Sequence, residues 1–437
     1  MTMEEVADDE NLRCAFEEVA RNKGAAGPDG QEINEVREHF ATILPTIKGA
    51  LLAGRYQPGE IRRVWIPKPG GGERGLGIPN VVDRLVQQAV HRVLGPNYEP
   101  TFHEASHGFR PGRSCHTAVT AAKQHLYGGC RWVVDLDLEK FFDRVHHERL
   151  LARLAERVKD MRLVTLVRRM LKAKVVMPNG VVVATDEGTP QGGPLSPLLS
   201  NIVLDELDRE LDRRGHRFVR YADDCNIYVR SERAGKRVMA TVVRFIESRL
   251  RLKVNVAKSA VARPGERHFV GFTFWRKKHV AVKLSQRSRD RIDKRIRELT
   301  PRNWGGKLDT CIKRLNRYLR GWVGFFGVSC TKDVIPNLEV LDGHIRRRLR
   351  ALLLRQWKRK RTIARRLIRL GVSKATAWGT VYNGHRSLWK LSHTSAVERA
   401  LGIEYFRERG LVSLEELFRE IRREVMARQP AKLAPDS

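Results

Sequence analysis

The 437-residue sequence lacks the features that mark secreted, zinc-ribbon or membrane-spanning proteins. Its six cysteines include no Cys-x-x-Cys pair, so neither a zinc ribbon nor a disulfide framework is predicted. No apolar run approaches the ~20 residues needed to span a bilayer, since three prolines interrupt the longest uncharged stretch, residues 188–204. The N-terminus is acidic where a targeting peptide would be basic. These absences predict a reducing, cytoplasmic environment and no membrane partner.

Acidic residues are few relative to basic ones, with 50 Asp and Glu against 83 Lys and Arg, which gives a formal net charge of +33. The excess of basic residues is distributed unevenly along the chain. Residues 1–275 carry a net charge of +8, whereas residues 276–437 hold 40 basic and 15 acidic side chains. No acid occurs between Ile345 and Leu370. Because a solvated surface usually mixes both signs, this composition predicts that nucleic acid binds the rear part of the chain.

Apolar periodicity predicts alternating strands and helices in the front part and helices alone in the rear part, which is an α+β class. Strands are expected at residues 62–67, 132–137, 175–177, 181–185, 218–220 and 226–230. Helices are expected at residues 82–94, 147–154 and 195–211. In the rear part, one helix should end at Thr300-Pro301, a second should span residues 311–326, and a third should begin near Pro336.

Two acidic segments lie at the ends of predicted strands. Alternation along residues 132–137 places Asp135 and Asp137 on one face. Apolar stretches flank Asp223 and Asp224, which predicts a hairpin with carboxylates at its tip. A lone Asp-Asp pair is usually ordinary turn chemistry. Here the neighbours are apolar, so burying the carboxylates without a cation would be costly. Two Mg²⁺ ions about 3.5–4 Å apart would neutralise their negative charge.

Two Gly-rich loops carry further candidates. Residues 62–74 form a strand and loop with Lys68 and Arg74, cations that suit a triphosphate. Residues 189–201 include Gln191 beside two glycines, which allow close approach of a flat ligand such as a base pair. Ser196 and Pro197 fit the N-cap and first position of the following helix.

Five motifs in this order resemble the series of the group II intron reverse transcriptases: IPKPGGG (66–72), HGFRPGRS (107–114), VVDLDLEKFFD (133–143), TPQGGPLSPLLSN (189–201) and YADD (221–224). RLNRYLRGWVGFF (314–326) and IRRRLRALLLRQWKRKRT (345–362) are similar to the thumb and maturase region of the bacterial class C group. The resemblance implies a right-hand polymerase with an antiparallel sheet in the palm. The expected divisions are an N-terminal extension of the fingers (1–60), fingers and palm (61–280), an α-helical thumb or maturase domain (281–375) and a small basic DNA-binding domain (376–437).

The resemblance also implies residue roles. The residues expected to be catalytic or to bind two Mg²⁺ ions are Asp137, Leu138, Asp223 and Asp224, the three aspartates being catalytic. Asp137 is preferred to Asp135 because Phe142 then falls five positions later, where relatives carry an aromatic gate against the ribonucleotide 2′-hydroxyl; a contribution from Asp135 stays open. The residues expected to contact the incoming nucleotide are Lys68, Arg74, Phe142, Gln191 and Lys258, the last as a candidate general acid.

The residues expected to contact nucleic acid are Arg110, Arg113, Arg346, Arg347, Arg348, Arg350, Lys358, Arg359, Lys360 and Arg361. A rival motif is His103-Glu-Ala-Ser-His107, which matches the H-E-x-x-H zinc pattern. That pattern needs a continuous helix, and Gly108 and Pro111 would end one, so no zinc hydrolase is predicted.

The implied function is an RNA-directed DNA polymerase and intron maturase of the bacterial cytoplasm, associated with RNA or the nucleoid. Its expected partners are group II intron RNA, an RNA template with a DNA primer, target DNA and dNTPs. It would assist splicing and copy the RNA into DNA as the intron moves. Two alternatives stay open: a domesticated reverse transcriptase in host repair or defence, and an RNA-binding splicing chaperone without polymerase activity.

Overall fold

The computed structural model describes residues 1–68, 71–276, 278–382 and 387–428. The chain forms two compact units, Met1–Arg263 and Pro264–Ser437. The first mixes helices with two sheets, and the described residues of the second form helices and one hairpin, so the predicted α+β class is confirmed. Within the described ranges, no helix is both long enough and apolar enough to cross a bilayer.

The first unit follows the predicted alternation of strands and helices. Its helices are α1 (Met3–Val6), α2 (Asp9–Arg21), α3 (Ile33–Glu38), α4 (Phe40–Leu52), α5 (Val81–Tyr98), α6 (Cys115–Tyr127), α7 (His147–Arg157), α8 (Met161–Leu171), α9 (Ser196–Arg213) and α10 (Glu232–Phe245). Its strands are β1 (Ile61–Pro67), β2 (Glu73–Ile78), β3 (Trp132–Leu136), β4 (Val175–Val176), β5 (Val182–Val183), β6 (Arg217–Tyr221), β7 (Asp224–Val229) and β8 (Ala260–Ala262).

Two four-stranded sheets organise this unit. The first has the order β2-β1-β4-β5, with β1 and β2 antiparallel and β1 parallel to β4. The second has the order β6-β7-β3-β8, with every pair antiparallel. Val134, Leu136 and Ile227 of this second sheet are fully buried in the main core, and α10 packs against β3, β7 and β8. Apolar side chains therefore fix the register that positions the acids at the strand ends.

The helix predicted at residues 195–211 corresponds to α9, but the predicted N-cap role of Ser196 is wrong. Ser196 is itself the first helical residue, and its hydroxyl donates to the Pro190 carbonyl at 2.7 Å instead of capping the helix. This bond ties the preceding loop to the first turn of α9. The Ser196 hydroxyl bonds to a carbonyl of the preceding loop, and no side chain of the described residues caps the N-terminus of α9.

The second unit begins with the antiparallel hairpin β9 (Phe272–Arg276) and β10 (Val280–Leu284). Its helices are α11 (Gln286–Leu299), α12 (Leu308–Ser329), α13 (Ile335–Gln356), α14 (Lys360–Arg369), α15 (Lys374–Tyr382), α16 (Leu388–Leu391), α17 (Ser395–Ala400), α18 (Ile403–Arg407) and α19 (Leu414–Arg428). The three helices predicted from apolar stripes correspond to α11, α12 and α13, and Trp322 and Trp357 are core residues. The four predicted domain limits stay predictions.

Candidate active site

A tight turn between β6 and β7 presents two carboxylates. Tyr221 pairs with Asp224, so only Ala222 and Asp223 lie between the strands. Ala222 has a φ of 55°, in the left-handed region, which costs a residue with a Cβ about 1–2 kcal/mol. Asp224 is exposed and Asp223 is half-buried. Contacts elsewhere in the fold must therefore hold the turn in this conformation.

Asp137 follows β3 directly and reaches the same sheet edge. The β3–β7 ladder ends at the pair Leu136 and Cys225, so the next position places Asp137 beside Asp224. The Asp137 amide donates to Ser259 Oγ at 3.0 Å, and the Asn255 amide donates to the Asp137 carbonyl at 2.8 Å. The structure thus brings together acids that lie more than 80 residues apart in the sequence.

The Asp137 and Asp223 carboxylates are close enough to interact electrostatically. Burial raises the pKa of the Asp223 carboxyl, the negative charge of Asp137 raises it further, and the charges of Arg74 and Arg220 act in the opposite direction. Asp135 precedes Asp137 by two residues on β3, where it pairs with Asn226 of β7. A bound cation would reverse the unfavourable interaction between Asp137 and Asp223.

The donor set at this edge fits a hard divalent cation. Carboxylate and carbonyl oxygens are the ligands that Mg²⁺ prefers. Leu138 forms a bridge with Val254 whose hydrogen bonds use the Asp137 carbonyl and the Glu139 amide. The Leu138 carbonyl is therefore directed to the β7 side of the strand.

The protein does not build a complete cage for an ion. Across the described ranges, no three His, Cys, Asp or Glu side chains are close enough together to hold a metal by themselves. Mg²⁺ usually keeps several waters and takes one or two carboxylates plus substrate phosphates. The open acidic edge therefore fits ions that bind together with a nucleotide.

Lys258 lies beside Asp137. Its Nζ is 3.9 Å from Asp137 Oδ2, and its side chain is 59% exposed. The Lys258 amide donates to the Asn255 carbonyl at 3.1 Å, which places the lysine in the segment that also fixes the Asp137 backbone. An exposed ammonium group beside a metal-ligand candidate can reach a phosphate bound there.

The β1–β2 hairpin carries the two predicted triphosphate ligands. Lys68 follows β1, and its amide donates to the Gly72 carbonyl at 2.9 Å. Arg74 is exposed on β2 opposite Ile66, and its charge reaches Asp223. The structure thus brings Arg74 toward the acids, while Pro69 and Gly70 of the IPKPGGG motif lie outside the described residues.

The loop with Gln191 is fastened to β2 through its backbone. The Gly77 amide donates to the Gln191 carbonyl at 2.7 Å. A Cβ on Gly192 would lie 2.5 Å from the Gly77 carbonyl oxygen, so only glycine allows this close approach. The half-buried Gln191 therefore occupies a defined position next to the hairpin that carries Arg74.

Phe142 lies in a single 3₁₀ turn, Phe141–Asp143, shortly after Asp137. Its ring packs edge-on against Phe141 at 5.2 Å between centroids and lies against the main core. The Thr189 amide donates to the Phe142 carbonyl at 2.6 Å. The backbone and the ring of Phe142 are therefore both fixed in position. A side chain that excludes the 2′-hydroxyl by its shape requires such a fixed position.

Two predicted nucleic-acid ligands in the first unit are used internally. Arg110 is buried, and its guanidinium donates to the Glu99 carboxylate at 2.9 Å and to the carbonyls of His103 and Ser106. Arg113 donates to the Glu104 carbonyl. The geometry does not favour a nucleic-acid role for Arg110, because its donors are occupied inside the protein. His103 and His107 lie outside the helices, so the continuous helix that the H-E-x-x-H pattern needs is not formed.

The basic segment of the second unit separates into two parts. Arg348 donates to the Thr300 hydroxyl at 2.6 Å, Arg350 is buried against Glu398 at 2.8 Å, and Arg347 stacks on the Trp389 ring at 4.2 Å. Arg346 is half-buried. In contrast, the side chains that follow α13 are exposed, namely Lys358, Arg359, Lys360 and Arg361, with Lys360 also near the Tyr382 ring. The exposed part offers more donors to a phosphate backbone.

Sequence reasoning missed the residues that position the acids. Gly108 lies against the Ala222 turn, Arg220 is fully buried behind it, and Ser259 holds Asp137. The available signals were that Gly108 belongs to the HGFRPGRS motif and that Arg220 directly precedes YADD. Neither signal indicates which residues Gly108 and Arg220 contact, because those residues lie elsewhere in the sequence.

Two family models match the chain. One is described as reverse transcriptase (RNA-dependent DNA polymerase) and covers residues 66–274. The other is described as group II intron, maturase-specific domain and covers residues 289–370.

Curated relatives match a part of the chain. The chain is 42% identical over 200 residues to Protein YkfC of Escherichia coli (strain K12), covering 44% of this chain and 52% of that protein. It is 40% identical over 199 residues to Group II intron-encoded protein LtrA of Lactococcus lactis subsp. cremoris, covering 45% of this chain and 32% of that protein. The chain thus matches about half of one relative's length and about a third of the other's.

Solved structures show weaker similarity. A telomerase from Candida albicans in complex with a fragment of telomeric RNA gives a TM-score of 0.47 at 13% identity, over 90% of this chain and 71% of that chain. A Cas6-RT-Cas1–Cas2 complex gives 0.37 at 24% identity, over 56% of this chain and 26% of that chain.

Proposed function

Because its two matched domains make this chain a member of the group II intron reverse transcriptases, we propose that it is an RNA-directed DNA polymerase and intron maturase. It extends a DNA primer on an RNA template with dNTPs, and it binds group II intron RNA to assist splicing and insertion into target DNA. Two Mg²⁺ ions bind at Asp137, Asp223, Asp224 and the Leu138 carbonyl. We place this activity in a bacterial cell, with the protein bound to RNA.

The chain's own residues have distinct tasks in this reaction. The three aspartates would hold the metal ions, which when bound would supply activation of the primer 3′-hydroxyl and stabilisation of the leaving pyrophosphate. Arg74 and Lys68 neutralise the triphosphate. Lys258, 3.9 Å from Asp137, donates a proton to the departing pyrophosphate.

One observation carries the proposal: two acidic segments converge at one sheet edge of a protein with a net charge of +33. A protein that only binds RNA gains nothing from negative charge gathered at such an edge, because it repels phosphates. A two-metal polymerase requires it. The acidic edge therefore favours catalysis over a chaperone role.

The decisive experiment is extension of a labelled DNA primer on an RNA template over a Mg²⁺ titration, with EDTA as the control. We expect products that grow to the template end and disappear with EDTA. In parallel, binding of a group II intron RNA and the rate of its splicing test the maturase role. Tight RNA binding without primer extension at any Mg²⁺ concentration would support the chaperone alternative.

Phe142→Ala is expected to relax sugar discrimination. Removing the ring opens space for a 2′-hydroxyl, so the ratio of kcat/KM for dNTP over rNTP should fall by at least ~10-fold. Single-nucleotide incorporation with each triphosphate measures this ratio, and incorporation of dNTP should change little. An unaltered ratio would refute the gate role.

The exposed basic segment is expected to dominate the salt dependence of RNA binding. Replacing Lys358, Arg359 and Arg361 with Gln should make the slope of log Kd against log salt shallower by about 2 to 3. The matched variant replaces Arg346, Arg347 and Arg348 with Gln, an equal loss of charge at residues that are partly packed. We expect a smaller change in slope there, together with a lower Tm. Equal slopes for the two variants would show that only overall charge matters.

A further inference from the structure

A fully buried ion pair lies behind the carboxylate turn. The Arg220 side chain has 0% exposure, and so does that of its partner Asp208 on α9. Arg220 Nε is 2.8 Å from one Asp208 oxygen, and Nη2 is 2.6 Å from the other. This bidentate geometry fixes the plane of the guanidinium.

The remaining donors of Arg220 reach the segments that build the site. Nη1 donates to the Asn201 side-chain oxygen at 3.1 Å and to the Ala222 carbonyl at 2.9 Å, and Nη2 donates to Ser106 Oγ at 2.7 Å. Asn201 ends the TPQGGPLSPLLSN motif, Ala222 belongs to YADD, and Ser106 directly precedes HGFRPGRS. All five guanidinium donors are used, so one side chain connects two of the motifs with the residue that precedes the third.

The backbone of the same residues completes the connection. The Arg220 amide donates to the Ala105 carbonyl at 2.8 Å, and the His107 amide donates to the Arg220 carbonyl at 2.8 Å. Asn201 Nδ2 donates to the Gly108 carbonyl at 2.9 Å. The loop before α6, the start of α9 and the carboxylate turn therefore depend on one another for their positions.

Stability alone does not account for this arrangement. A buried ion pair can often be replaced by apolar residues of similar volume without loss of stability, because two desolvated charges roughly cancel their own attraction. An apolar pair, however, cannot bind the carbonyl of Ala222. That carbonyl belongs to the one residue of the turn with a left-handed backbone.

We propose that Arg220 is a positioning residue of the polymerase: by holding the Ala222 carbonyl it fixes the direction in which Asp223 and Asp224 face the metal ions. The inference rests on the proposed function and adds to it a source of metal affinity outside the ligands. Partners that orient metal ligands typically change metal affinity or activity by about 10- to 100-fold when removed.

The test is the double variant Arg220→Met with Asp208→Leu, which replaces both charged side chains with apolar ones. We expect a folded protein whose Tm is lowered by the loss of the bonds to Asn201, Ala222 and Ser106. Its affinity for primer–template should stay within about twofold, whereas the Mg²⁺ concentration for half-maximal extension rises at least ~10-fold. Mn²⁺ binding followed by electron paramagnetic resonance measures metal affinity without polymerisation, and it should weaken by a similar factor. A folded double variant with unchanged Mn²⁺ affinity and Mg²⁺ dependence would overturn the proposal.

Two further measurements keep the test decisive. The matched control, Glu18→Leu with Arg92→Met, removes a half-buried ion pair between α2 and α5 that makes no hydrogen bond to the three motifs, and it should leave Mn²⁺ affinity unchanged. If the Arg220 double variant does not fold, Ser106→Ala and Asn201→Ala each remove one partner, and each should weaken Mn²⁺ binding several-fold. Unchanged affinity in both would refute the role. Absence of primer extension by the unmodified protein would instead refute the proposed function, since Mn²⁺ binding is scored separately.

Discussion

Asp223→Ala is expected to abolish primer extension, with kcat lower by at least ~10⁴-fold, because about 5 kcal/mol of metal-dependent stabilisation of the transition state is lost. The carboxylate is half-buried at the sheet edge, within the field of Asp137. RNA affinity should stay the same or increase slightly, since the variant removes a negative charge from a surface that faces phosphates. Single-turnover extension and equilibrium RNA binding measure the two quantities.

Asp212→Ala is the matched control for this variant. Asp212 lies near the end of α9 in the same unit, its side chain is 68% exposed, and its only ion pair within the described ranges is with His103 at 3.5 Å. The change of charge is the same as in Asp223→Ala. Because Asp212 is exposed near the end of a helix, kcat should change less than about twofold. Polymerisation that survives in Asp223→Ala while RNA binding is lost would contradict the assignment of the acids.

The sequence predicted the acidic edge because local patterns determine it. Strand alternation places Asp135 and Asp137 on one face, and the apolar flanks of Asp223 and Asp224 require a hairpin. Antiparallel pairing of β3 with β7 then brings the two segments to one edge. The chemistry of the site therefore follows from short-range periodicity plus one strand pairing.

The roles of the arginines could not be predicted in the same way. Charge counting treats Arg110, Arg348 and Lys358 alike, yet only the lysine is exposed. A guanidinium can satisfy several carbonyls at once when the fold brings them together. Arg220 shows this most clearly, because its partners Ser106 and Asp208 lie 114 and 12 residues away in the sequence. No periodic pattern encodes contacts of that kind.

Gly108→Ala is expected to have the second-largest effect. A Cβ at this position would lie 3.0 Å from Ala222 Cα and closer still to the Ala222 amide nitrogen, and neither backbone atom can move away without shifting the carboxylate turn. Overpacking of this kind typically lowers the free energy of unfolding by 1–3 kcal/mol, and we expect a loss of about this size for Gly108→Ala. A displacement of roughly 1 Å at reacting groups costs about 10²-fold in rate, so kcat should fall by at least that factor.

The loss of activity in Gly108→Ala should exceed what its loss of stability explains, because the clash falls on the turn itself. Gly49→Ala is the matched control, since Gly49 lies inside α4 with no atom within 4 Å of the added Cβ. That variant should gain about 0.5–1 kcal/mol of stability from the higher helix propensity of alanine and keep its kcat. Urea unfolding and single-turnover extension, both at a temperature where each variant is folded, separate the two effects. If Gly108→Ala matched the unchanged protein in both stability and kcat, the close approach of this loop to the carboxylate turn would have no part in catalysis.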